Sequence, residues 1–118
     1  MPGQSQQASQ ANQRLEECIR LCLDCLKLCQ QCATYCIQVE EKGRAKCIQL
    51  CLDCAGVCAV TAELMSRNST FHAQACGLCA DICAACAAEC DQIGGDIARQ
   101  CTEACRRCAE SCRQMAAA

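Results

Sequence analysis

Nineteen cysteines recur at alternating steps of three and four residues, and no other feature of this 118-residue chain narrows its fold as sharply. They stand in four groups: Cys18, Cys22, Cys25, Cys29, Cys32 and Cys36; Cys47, Cys51, Cys54 and Cys58; Cys76, Cys79, Cys83, Cys86 and Cys90; Cys101, Cys105, Cys108 and Cys112. Steps of three and four place every sulfur of a group on one stripe of a helix, the a/d spacing of a bundle. A strand would need steps of two, and an irregular loop would show no period.

The groups also repeat one phrase. Residues 21–29 read LCLDCLKLC, 50–58 LCLDCAGVC, 75–83 ACGLCADIC and 104–112 ACRRCAESC, each holding C-x2-C-x3-C. In three copies another cysteine (Cys18, Cys47 or Cys101) stands four residues earlier, and in the third copy that place is taken by His72.

Between the groups lie turn signals. VEEKGRA (39–45) carries a glycine after a charged helix end, SRNST (66–70) offers Ser69 or Thr70 as an N-cap, and DQIGGD (91–96) pairs two glycines with Asp96 as the expected cap of the last helix. The reading is four helices, near 13–41, 45–66, 70–92 and 96–115. Short connections make sequential helices antiparallel neighbours. The predicted fold is all-α, an antiparallel up-down-up-down four-helix bundle with a cysteine-lined core over 13–118, preceded by a flexible polar leader at 1–12.

Flanking positions agree. Ile19, Leu21, Leu26 and Leu28 lie beside the first stripe and Ile48, Leu50, Val57 and Leu64 beside the second. Arg20, Asp24, Lys27, Gln31, Gln49, Asp53 and Glu63 fall outside. Helix four has smaller flanks, Ala104 and Ala109, and is expected to pack least well. With no Trp, one Tyr (Tyr35) and one Phe (Phe71), aromatic anchors add almost nothing.

A formal net charge of −2 and the lack of any polybasic run give no case for nucleic acid or an anionic membrane. Cysteine is about a sixth of the chain, past the roughly 8–10% that marks a disulfide scaffold in secreted chains. MPGQSQQASQANQ, however, has neither the charged start and apolar stretch of a signal peptide nor a small-residue cleavage site. No apolar run reads as the roughly 20 residues that span a bilayer. The chain is therefore expected in the reducing cytoplasm, where many disulfides would not persist, and an odd count forbids complete internal pairing.

One or two buried cysteines would read as small hydrophobes. Nineteen in strict phase displace nearly every Leu and Ile from the seam, and metal coordination explains that choice. Side chains at i and i+4 have Cβ atoms about 5–6 Å apart. A linear S–M–S unit with bonds near roughly 2.3 Å spans about 4.6 Å, so each C-x3-C pair can clamp one ion. Soft thiolates select Cu(I), and one Cu(I) per thiolate leaves a dry core neutral. Bridging sulfurs would give a capacity near one copper per cysteine.

Other readings fit less well. Structural zinc favours closed four-ligand sites on turns, and one or two would leave most thiols unused. The iron–sulfur run C-x2-C-x2-C-x3-C-P is absent. Redox C-x-x-C motifs need a helix N-terminus to lower a thiol pKa, whereas these lie mid-helix. The expected function is metal storage rather than catalysis, with zinc or mixed thiophilic-metal binding and thiol redox as alternatives.

Antiparallel topology gathers the start of helix one, the end of helix two, the start of helix three and the end of helix four at one mouth. On the inward phase there stand Leu15, Thr61, Met65, His72 and Met115. A thioether or imidazole binds Cu(I) without losing a proton and less tightly than bridged thiolates. His72, Met65 and Met115 are therefore candidates for metal uptake, against the plain reading of helix-end and end-capping residues. The opposite end presents Cys36, Cys47, Cys90 and Cys101 under the 39–45 and 91–96 loops. Asp24, Asp53 and Asp81 recur beside cysteines but face outward as solvated surface.

With this ladder the chain closely resembles the bacterial copper storage proteins, four-helix bundles filled with Cu(I)–thiolate chemistry. The resemblance covers roughly 13–115, rests on the four C-x2-C-x3-C copies, and points to the cytosolic branch. It implies a homotetramer, sequestration of surplus Cu(I), and exchange with small thiols or copper chaperones. By position it makes the nineteen cysteines ligands and puts His72 with the two methionines at the open end. A single histidine there is fewer than the cytosolic branch leads one to expect.

Overall fold

The computed structural model describes the backbone of residues 2–117 and side chains from Gln10 to Ala117. It has four helices: α1 (Pro2–Val39), α2 (Ala45–Ser66), α3 (His72–Ile93) and α4 (Asp96–Ala117). Helix α1 packs on α2 and α4, and α3 on α2 and α4, while the diagonal pair α2 and α4 meets only through core sulfurs, Cys54–Cys105 at 3.9 Å and Cys58–Cys108 at 4.0 Å, among the described residues. That is the square, sequential-neighbour arrangement that short antiparallel connections produce.

The first helix departs most from expectation, running back to Pro2 rather than starting near residue 13. Proline is tolerated in a first turn, and residues 4–13 contain no Gly, Pro or β-branched residue to interrupt a helix. At about 1.5 Å per residue, the 38 residues of α1 account for the 59 Å long axis of the molecule. The three 22-residue helices span only about 33 Å each, so α1 overhangs the mouth.

The turns lie where the sequence puts them, with different capping residues. Helix α2 ends with Asn68 at φ 53°; its N–H bonds the Met65 carbonyl at 3.0 Å and the Ser69 N–H reaches the Leu64 carbonyl at 2.9 Å. This pair of bonds is the Schellman pattern, with asparagine as the left-handed residue. Phe71, not Ser69 or Thr70, is the N-cap of α3. Ser69 acts one turn earlier, its Oγ accepting the Phe71 N–H at 3.1 Å and its carbonyl the His72 N–H at 3.1 Å. Asp96 is the first helical residue of α4, while the Gly95 carbonyl accepts the Arg99 N–H at 3.0 Å. An acidic side chain in that first turn still favours the positive end of the helix dipole.

The large apolar flanks are not the inner walls. Ile19, Leu21, Leu26, Leu28, Ile48, Leu50, Val57 and Leu64 are all half-buried. The fully buried residues beside the cysteines are mostly alanines, namely Ala33, Ala55, Ala62, Ala80, Ala87, Ala98 and Ala109. Small side chains let neighbouring helices approach closely, and α4 with Ala98 and Ala109 is sealed in the same way. Two helices, α2 and α3, are long and apolar enough to cross a membrane by length and composition, contrary to the expectation of no such run. Cysteine carries much of that hydropathy, and the cysteine stripes of both helices face the bundle core.

Candidate metal centre

Every cysteine is reduced and buried, with at most 1% of its surface exposed. All except Cys32, Cys36 and Cys76 belong to one unbroken network of sulfur–sulfur contacts between 3.4 and 4.0 Å. Within helices the C-x3-C pairs Cys25–Cys29 and Cys79–Cys83 stand at 3.8 Å, Cys86–Cys90 and Cys108–Cys112 at 3.9 Å, and Cys47–Cys51 and Cys101–Cys105 at 4.0 Å. Between helices, Cys54–Cys83 close to 3.4 Å and Cys25–Cys105 to 3.6 Å.

These contacts stack into layers. Cys22, Cys58, Cys79 and Cys108 form one, Cys25, Cys29, Cys54 and Cys105 another, and Cys32, Cys51, Cys90 and Cys101 a third, with sulfurs in each within 4.8 Å of one another. Further groups share members with these, such as Cys25, Cys58, Cys83 and Cys108, so the sulfurs form a continuum rather than separate sites. With bonds near 2.3 Å, trigonal coordination needs sulfurs about 4.0 Å apart and linear coordination about 4.6 Å. The first is met by the contacts near 4.0 Å as the core stands, and the second asks for openings of about 0.6 to 1.2 Å.

Without metal the core must stay mostly protonated. Burial disfavours a thiolate and pushes Cys47 up to about 12, and it raises Cys36 as well. Inside the network, shared S–H bonds split neighbours. Hydrogen bonding with Cys112 and then with Cys22 holds Cys108 down at about 6, whereas that with Cys101 and Cys105 holds Cys29 above the ordinary range. Thiolates could accumulate here only with cations brought in beside them.

At the mouth the ladder continues without thiols. Met65 is 1% exposed, and its Sδ accepts the Cys76 S–H at 3.7 Å. Thr61 is fully buried on the cysteine phase of α2, its hydroxyl donating to the Ala75 carbonyl at 3.4 Å. Met115 and Leu15 are half-buried against the core. His72 opens α3, half-buried, with Nδ1 2.7 Å from the Ser69 carbonyl. That geometry makes Nδ1 the protonated nitrogen and leaves the Nε2 lone pair free for a ligand. The three uptake candidates thus share one end of the bundle, where Met65 is hydrogen-bonded to Cys76 and Met115 packs against the core. Asp24, Asp53 and Asp81 are exposed, as expected.

The sequence reading missed one residue. Arg44 turns back over the far end, its Nη1 3.9 Å from Cys36 Sγ. Only the turn geometry brings it there, and an arginine in a charged loop carries no such signal.

The copper storage protein family model matches residues 11–117. A Cu(I)-bound copper storage protein of Bacillus subtilis, BsCsp3, superposes with a TM-score of 0.80 at 42% identity, over 87% of this chain and 98% of its own. The Nmul_A1745 protein of Nitrosospira multiformis gives 0.84 at 38%, covering 90% and 97%. A cytosolic copper storage protein of Streptomyces lividans carrying five coppers gives 0.82 at 34%, covering 90% and 94%. No curated protein matches the chain. A full-length family match, joined to four helices that line one core with thiols, places this chain in the copper storage protein family.

Proposed function

We propose that the chain stores Cu(I) in the core of its bundle, with all nineteen cysteines as ligands and no catalytic role. The observation that carries this reading is the unbroken sulfur network, which fills a position where other bundles bury Leu and Ile. Its 3.4–4.0 Å spacings suit bridging thiolates. Monovalent copper keeps the core neutral, whereas four thiolates around one zinc would leave two negative charges per site in a dry interior. Overlapping four-sulfur groups also argue against separate zinc sites, because neighbouring groups compete for the same sulfurs.

The finer reading follows from the same features and from the relatives. The protein works in the cytoplasm, as the Streptomyces lividans relative is described, and takes up surplus Cu(I) from small thiols or copper chaperones. His72, Met65 and Met115 receive the ion and pass it to Cys76, Cys18 and Cys112. The working form is a homotetramer, in which half-buried flanks such as Ile19 and Leu26 would gain cover.

Native mass spectrometry of reduced protein loaded in parallel with Cu(I) and Zn(II) tests the reading. Copper adducts numbering well above ten, against a few zinc ions, are expected. Equal, low numbers of both metals would refute it. The same spectra give the oligomeric state.

A further inference from the structure

The two ends of the thiol core differ in charge. At the mouth the inward groups are Leu15, Thr61, Met65, His72 and Met115, with no lysine or arginine among them. At the far end Arg44, whose side chain is only 14% exposed, lies against Cys36. Its Nη1 donates to Cys36 Sγ at 3.9 Å while Nη2 donates to Glu41 Oε2 at 2.6 Å. Glu41 is exposed, so it anchors the guanidinium from outside and the free fork faces inward. Glu40 (φ 54°) and Gly43 (φ 82°) take left-handed conformations that fold the loop back and aim Arg44 at the core. Cys36 stands outside the hydrogen-bonded sulfur network, so the guanidinium is its close partner.

We propose that Arg44 is an electrostatic stopper that closes the far end of the core to cations. A positive charge held largely buried against the terminal thiol raises the barrier for another cation, as a pore arginine does, because it is weakly screened there. Half-buried Ile93 and Ile97 and buried Ala98 belong to the core at the facing ends of α3 and α4, and among the described residues Arg44 is the one charged group hydrogen-bonded to the terminal thiol. The consequence is directional. Cu(I) enters and leaves past His72, Met65 and Met115, and ions held near Cys36, Cys47 and Cys90 are the last to be surrendered. This inference rests on the copper-storage reading for its meaning, but the barrier itself can be measured without copper.

The test uses the reduced, metal-free full-length chain and two thiosulfonate reagents of similar size, one cationic and one anionic, with labelling of Cys36 followed by peptide mass spectrometry. In the wild type Cys36 should react with the anionic reagent on the order of tenfold faster than with the cationic one. Arg44→Met keeps the stem and removes the charge, so the two rates should converge. Arg44→Lys should preserve the difference, and Arg44→Gln carries the test should the methionine variant unfold. Wild-type Cys36 taking the cationic reagent as fast as Cys18 at the mouth, or an unchanged ratio in Arg44→Met, would overturn the stopper. Copper-loaded Arg44→Met should also release Cu(I) to a chelator severalfold faster than wild type. A chain that shows the reagent asymmetry yet binds few coppers would sink the storage reading and leave the barrier standing.

Discussion

The thioether sulfur of Met65 lies 3.7 Å from the thiol of Cys76, so the cysteine ladder runs into the mouth without a break in sulfur contact. Met65→Leu conserves volume and should cost under about 1.5 kcal/mol of stability. It should slow Cu(I) uptake severalfold and leave final capacity unchanged. Stopped-flow loading followed by an end-point titration checks both halves, and an unchanged uptake rate would remove Met65 from the path.

His72 offers Nε2 because Nδ1 is engaged by the Ser69 carbonyl at 2.7 Å. His72→Ala should slow loading while sparing capacity, since the nineteen thiols are untouched. A large fall in capacity would instead make His72 a storage ligand.

Thr61 occupies the cysteine phase of α2, fully buried, three residues beyond Cys58 and bonded to the Ala75 carbonyl next to Cys76. Its long 3.4 Å hydrogen bond to Ala75 contributes little. Thr61→Cys should therefore fold with wild-type stability, within about 1 kcal/mol, and hold about one further copper. Titration beside the wild type decides it, and an unchanged capacity would show that this layer is not a metal site.

Burial raises Cys36 and takes Cys47 up to about 12, against 9.0 for a free thiol. Between pH 9 and 12 the folded chain keeps protons that the unfolded chain has lost, so stability is full below pH 9 and falls as pH rises toward 12. The melting temperature of reduced, metal-free protein should thus drop between about pH 9 and pH 12, and loaded protein, with no thiol protons to lose, should drop far less. Parallel shifts in both forms would contradict the account.

The seam was legible because a three–four period depends on helix geometry alone and survives any tertiary context. The turns were legible from Gly43 and the Gly94–Gly95 pair, each of which takes a positive φ, and from the polar SRNST segment, although there the left-handed residue is Asn68 rather than a residue the sequence singled out. What escaped depends on contacts made at a distance along the chain. The alanine walls at Ala33, Ala55, Ala80 and Ala109 read as filler in sequence, because closeness of helices is a property of the pair. The backward extension of α1 to Pro2 lacks an apolar stripe to announce it. Arg44 over Cys36 needs the backbone sense of the five-residue turn between α1 and α2, which no spacing rule encodes. The apolarity of α2 and α3 is carried largely by cysteine, which counts in hydropathy as well as in ligation.

The central claim is that the sulfur network is a store. Anaerobic titration of the fully reduced protein with Cu(I) against a competing chelator tests it most directly. The account predicts uptake on the order of one copper per cysteine, with the helical fold present before the first addition. Saturation below about four ions, or a chain that is unfolded until metal arrives, would contradict it.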